Sequence, residues 1–200
     1  MSSSFVLATH NAHKVEEFQA ILGGASGLTI GPYDGPEPIE DGTTFEQNAL
    51  IKARAAAEHT GIGALADDSG LCVDVLNRAP GIFSARWAGP KRGDEANLNL
   101  LLEQLADVRD EDRTAFYVCV IAVVIPAREN QAPHEFVVEA QWHGRLARAP
   151  RGEYGFGYDP IFVPEGSELT AAEMNPTEKN NQSHRALALA KLKPLLAELT

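Results

Sequence analysis

This sequence is short of cysteine, of positive charge and of long apolar runs. Its 200 residues contain two cysteines, Cys72 and Cys119, each inside an apolar stretch and neither beside a histidine or the other cysteine. That spacing argues against a disulfide framework, a zinc site and thiol catalysis, and leaves two buried free thiols in a reducing compartment. Lys and Arg number 17 against 28 Asp and Glu, for a net charge of −11. Such a balance argues against a nucleic-acid polymer or an anionic membrane as the main partner, while leaving room for a local basic pocket that takes a small anion. No apolar stretch is long enough to span a membrane, and the short apolar run near Met1 is too brief for a signal h-region. Internal repeats, low-complexity linkers and the glycine spacings of a Walker loop or dinucleotide fingerprint are all missing. What is present is 44% hydrophobic and 22% charged residues. That suits one domain over residues 1–200 with a sizeable core, and we expect a soluble cytoplasmic protein.

The first apolar run, 5–9, reads as a central strand that breaks at Thr9, His10 and Asn11. A helix over about 12–22 follows, with Val15, Phe18 and Leu22 on one face and Asn11 as its N-cap. Thr9, Asn11 and Lys14 thus meet where a strand ends and a helix begins, a setting suited to phosphate; the alternative is a capped helix with a solvated lysine. Residues 23–42 are rich in Gly and Pro, with one short strand near 28–30, and close on Glu40 and Asp41. Thr43 and Glu46 fit a capping box that opens a helix to about residue 59. Lys52 falls in the same stripe as Phe45, Ala49 and Ala56, so it either snorkels to water or meets an anionic partner.

The stretch around which the chain is organised runs from Gly63 to Leu71. Apolar residues 64–66 lead into two adjacent carboxylates, Asp67 and Asp68, at the end of a buried strand. Such a pair is costly without a cation, and oxygen ligands suit Mg²⁺; the alternative is a pair of turn or cap residues facing water. Asp94 is placed to cap a helix through Leu105 with the stripe Leu98, Leu101, Leu102 and Leu105. Residues 115–125 form the strongest strand, apolar on both faces, and 135–142 alternate as its hairpin partner. Three glycines and three aromatics share 152–158: there Phe156 offers a face for a base, or the loop packs on its own domain. Residues 161–163 make a short strand, and Thr170 with Glu173 forms a second capping box. Lys179 lies in a polar segment. Ser183 caps a last helix whose buried side carries Leu187, Ala190, Leu195, Leu196 and Leu199. His184 and Arg185 oppose the dipole in its first turn, which a bound anion or keto oxygen would explain.

These blocks, taken in order, resemble the inosine triphosphate pyrophosphatase family. The matching residues are Thr9, Asn11 and Lys14; Glu40, Gly42, Thr44, Phe45, Asn48, Ala49, Lys52 and Ala53; and the run Ala66 to Leu71. They continue with Ala79 to Ile82, Ser84 to Arg86, Phe156 to Pro160, Lys179, and Ser183 to Arg185. The resemblance covers about 5–196. It implies an elongated α/β fold, a twisted mixed sheet flanked by helices in two lobes with the active-site cleft between them, assembled as a homodimer. It implies Mg²⁺-dependent hydrolysis of ITP, dITP and XTP between the α- and β-phosphates, giving a monophosphate and pyrophosphate and clearing non-standard purine nucleotides from the pool. Carried over by position, Thr9, His10, Asn11, Ala12, His13, Lys14 and Lys52 would face the triphosphate. Glu40 and Asp68 would serve the metal, with Asp68 the proton acceptor, Asp67 beside it and Lys52 assisting. Ser69, Phe156, Gly157, Tyr158, Asp159, Lys179, His184 and Arg185 would surround ribose and base. His10 and Trp87 depart from the family's common residues. The competing expectations are a pyrophosphatase for modified pyrimidine nucleotides and a nucleotide-binding module without turnover.

Overall fold

The computed structural model describes residues 4–10, 14–16, 18–19, 21–22, 28–127 and 132–198. Six strands stand among them: β1 Ser4–Leu7, β2 Thr29–Pro32, β3 Gly63–Val73, β4 Thr114–Ile125, β5 His134–Leu146 and β6 Phe162–Pro164. They form one sheet in the order β2-β1-β3-β4-β5-β6. β1 runs parallel to β2 and to β3, and β5 antiparallel to β6, so the sheet is mixed. The anticipated partners β4 and β5 are neighbours. No helix among the described residues is long and apolar enough to cross a membrane. Both cysteines are free and buried.

The chain divides into two compact units. The first comprises Met1–Asp68, Cys119–Glu139 and Ala188–Thr200; the second comprises Ser69–Val118 and Ala140–Leu187. In the first unit β1 buries Phe5, Val6 and Leu7, and the helical residues 14–16, 18–19 and 21–22 include the buried Phe18 and Leu22. The helix Phe45–Thr60 buries Asn48, Ala49, Ala53, Ala56 and Ala57. Its cap lies one residue later than the sequence pattern suggests. Thr44 accepts the Gln47 N–H at 3.1 Å, and Gln47 Oε1 accepts the Thr43 N–H at 2.7 Å. Gln47 thus reaches back to the N–H of the residue before the cap, and Glu46 takes no part in the cap. The last helix, His184–Ala197, buries Ala188, Leu189, Leu192 and Leu196, whereas Leu187 and Leu195 are 38% and 37% exposed. This corrects the expected buried side: apolar residues surround that helix, so their pattern selects no single face. Leu199 lies outside the described residues.

The second unit is built around Leu71 and Val73 of β3, Tyr117 of β4, Trp142 and Leu146 of β5, and the helix residues Leu98, Leu101 and Leu105. Asp94 is not the cap of the helix Gly93–Gln104; it sits inside the first turn, and Arg92 at the cap position contributes no side-chain bond. Arg113, 2% exposed, closes the far end. It donates to the carbonyls of Leu105, Leu146 and Ala147, and Leu105 O also accepts the Val108 N–H at 3.0 Å. Asn175 and Pro176 open a helix not expected from the sequence, Pro176–Gln182, with Asn175 Oδ1 accepting the Thr177 N–H.

Candidate active site

In the first unit, β1 ends at Leu7, in register with Leu65, while β3 continues. The carboxyl ends of parallel strands are where open α/β sheets hold ligands. The Ala8 N–H reaches Leu65 O at 2.7 Å, and the Thr9 N–H turns back to Leu7 O at 2.7 Å. β3 does not stop at the acidic pair, as expected, but runs through it to Val73. Consecutive side chains of a strand leave on opposite faces, so the two aspartates part company. Asp67, with a side chain 3% exposed, takes Lys14 Nζ at 3.0 Å on both oxygens. Asp68 takes Lys52 Nζ at 3.5 Å, and the same ammonium lies 3.1 Å from Glu40 Oε1. Each carboxylate has its own cation, which lets the strand carry both without turning out to water.

Asn48 completes this group. It is 1% exposed, hydrogen-bonds Asp68, and accepts the Gly42 N–H at 3.0 Å, so it ties the Glu40 loop to the helix. Asp68 Oδ2 is buried with no hydrogen-bond partner among the described residues. Burial raises the Asp68 pKa above the usual carboxylate value; Lys52 opposes that, Glu40 adds to it, Asn48 opposes it and Asp67 adds to it. For Lys52, burial favours the neutral amine, but Asp68, Glu40 and Asp67 together outweigh it and the pKa rises. Lys52 therefore stays an ammonium. No three His, Cys, Asp or Glu side chains among the described residues converge as a protein-only metal cage. A hard divalent ion held mainly by waters and phosphate needs only one or two carboxylates. Glu40 and the unpartnered oxygen of Asp68 fit that donor set.

Of the expected phosphate cradle, Asn11, Ala12 and His13 lie outside the described residues. Thr9 is half-buried and Lys14 reaches Asp67. His10 is tied elsewhere: Nε2 lies 3.1 Å from Gly35 O, Nδ1 lies 3.1 Å from Glu37 Oε1, and the ring stacks on Tyr33.

The second unit carries the other expected group. The Phe156 side chain is 68% exposed, with Lys179 Nζ over its ring at 5.6 Å. Lys179 also pairs with Asp159, which is 3% exposed and accepts the Phe156 N–H at 2.9 Å. Gly155, at φ 77°, has its α-carbon where a Cβ would overlap Asp159 Oδ2. Gly152 likewise abuts the backbone of Ala172. Two of the three glycines therefore let this loop pack on its own unit, while Gly157 has open space beside it. Tyr158 is buried and donates to Ser84 O at 2.8 Å, and the Gly157 N–H reaches Asp94 Oδ2 at 3.0 Å. Burial, with the charge of Asp94, pushes the Tyr158 phenol far above its ordinary range. The His184 ring stacks on Tyr117 at 4.7 Å, and Arg185 follows it in the first turn. Ser69 Oγ is buried with no hydrogen-bond partner among the described residues.

The sequence pattern of the Ham1 family matches residues 5–195. The chain belongs to the Ham1 family. It is 59% identical over 196 residues to the dITP/XTP pyrophosphatase of Leifsonia xyli subsp. xyli, covering 98% of this chain and 96% of that protein. It is 52% identical to the dITP/XTP pyrophosphatase of Streptomyces coelicolor, covering 97% of each. Among solved structures, a HAM1 protein from Coxiella burnetii superposes with a TM-score of 0.89 at 44% identity, covering 98% of this chain and 99% of that one. Within this Ham1-family chain, four side chains that touch the two groups have no part in the site assigned from the sequence. Asn48 carried a weak signal, an amide beside an alanine stripe. Asp94 read as a cap. Tyr117 and Trp142 sit in apolar strand patterns, where nothing distinguishes a ring that seats a histidine from one that fills the core.

Proposed function

We propose that this protein hydrolyses non-standard purine nucleoside triphosphates, ITP, dITP and XTP, to the monophosphate and pyrophosphate, and so keeps them out of DNA and RNA. The observation that carries this reading is the Glu40–Lys52–Asp68 group with its unpartnered buried carboxylate oxygen. Water attacks the α-phosphorus, the bond to the bridging oxygen of the β-phosphate breaks, and pyrophosphate departs. Asp68 takes the water's proton. Lys52 and Lys14 offset charge on the phosphate oxygens. Mg²⁺ bound by Glu40 and Asp68 would neutralise the triphosphate and polarise the reacting phosphorus.

The base is taken by Phe156, which offers a face for stacking, and by Lys179, Asp159, His184 and Arg185. Arg185 only donates, so it pairs with the 6-oxo oxygen of hypoxanthine or xanthine and is left unpaired against the 6-amino group of adenine. Such a mismatch supplies discrimination of about 10⁴. We also propose a cytoplasmic homodimer, for which light scattering at micromolar concentration should give twice the chain mass. The main test is a pyrophosphate-release assay across purine and pyrimidine triphosphates. Fast release from ITP, dITP and XTP with Mg²⁺, slow release from ATP and GTP, and loss of activity with EDTA are expected. Orthophosphate with a diphosphate as products, or a preference for modified pyrimidines, would overturn the reading.

A further inference from the structure

A buried tyrosine lies beneath the base-side residues. Tyr117 is 8% exposed, in a strand otherwise apolar from Ala115 to Ile125. A hydroxyl in such surroundings is costly unless it is paired. Here two bonds pair it. Its oxygen accepts the Tyr158 backbone N–H, which leaves its own proton free to donate. The acceptor is Asp159 Oδ1, at 3.3 Å. The other oxygen of that carboxylate already takes Lys179 and the Phe156 N–H. Asp159 is 3% exposed, and a carboxylate so buried needs donors on both oxygens. Among the described residues the donor to Oδ1 is Tyr117. The phenol ring meanwhile lies against His184, with centroids 4.7 Å apart and planes 10° from parallel. Phe162 meets the ring edge-on at 4.8 Å, and Trp142 lies 6.5 Å away.

We propose that Tyr117 is a positioning residue for purine recognition: its hydroxyl orients Asp159, and through it Lys179 and the Phe156 backbone, while its ring seats His184. This rests on the nucleotide reading above and needs no contact between Tyr117 and the nucleotide. Two parts of one side chain do separate tasks, so two substitutions separate them. Tyr117→Phe keeps the ring and loses the hydroxyl. Its KM for XTP should rise about three- to tenfold, with kcat within about twofold of wild type. Inhibition by inorganic tripolyphosphate, which has no base, should be unchanged. Tyr117→Leu also removes the stacking surface and should raise KM further, by about threefold. In an Asp159→Asn background, loss of the hydroxyl should move KM by less than about twofold, because the carboxylate it orients is gone.

A wild-type KM in Tyr117→Phe overturns the proposal. So does a parallel loss of XTP and tripolyphosphate binding together with a lowered melting temperature, which would make Tyr117 a core residue alone. Wild-type protein that turns over no purine triphosphate overturns the nucleotide reading and the proposal together. Wild-type turnover with an unmoved Tyr117→Phe KM overturns the positioning role only.

Discussion

Burial and the ammonium of Lys52 pull the Asp68 carboxyl in opposite directions, and burial wins. In the proposed reaction Asp68 must be deprotonated to accept a proton, so turnover should fall as pH drops through its pKa. Removing Lys52 removes an influence that lowers this pKa. Lys52→Gln should therefore shift the acid limb of the kcat profile to higher pH, and an unmoved limb would assign that limb to another group. Asp68→Asn should lower kcat by about 10²–10⁴ while leaving the melting temperature close to wild type. Asp67→Asn should do the reverse in emphasis. Its side chain is 3% exposed and pairs with Lys14, which is 29% exposed and can partly reach water. The loss should be about 1–3 kcal/mol by denaturant unfolding, below the cost of stranding a fully buried partner. Equal catalytic losses in both variants would argue against separate roles for the two aspartates.

At the level of elements, the 152–160 loop depends on one backbone conformation. Gly155 is at φ 77°, and any side chain there meets the carboxylate that Lys179 and Phe156 share. Gly155→Ala should cost about 1–3 kcal/mol locally and raise KM by about tenfold with a smaller change in kcat; steady-state kinetics on XTP checks it. Elements marked by periodicity or caps were legible in the sequence: β4, the helix Phe45–Thr60, the Thr170–Glu173 box and the Ser183 cap. The Thr170 N–H meets Glu173 Oε2 at 2.8 Å, and the Ala186 N–H meets Ser183 Oγ at 3.3 Å. Less was legible where charge pairing overrode local pattern. Two adjacent aspartates look like a strand terminus, yet lysines from segments distant in sequence neutralise them and β3 continues. Lys52 was legible because alanines flank it. Tyr117 was not, because a hydroxyl adds nothing to an apolar pattern until Asp159 is seen beside it.

For the whole molecule, β3, β4 and β5 each supply residues to both units, and no single cut in the chain separates one unit from the other. We propose that residues 1–200 fold as one domain. Calorimetry should give a single transition whose calorimetric and van't Hoff enthalpies agree; two resolved transitions would refute this. The alternation along β3 has an outcome for how the chain can change length. Remove one residue between Gly63 and Asp67, and Ser69 would stand opposite Lys52. Add one, and Ala66 would stand opposite Lys14. Changes by two restore the facing but slide both carboxylates along the strand by about 6–7 Å, away from their lysines. Loops elsewhere can lengthen or shorten with the usual freedom, but the count from Gly63 to Asp68 is fixed by parity and by reach at once.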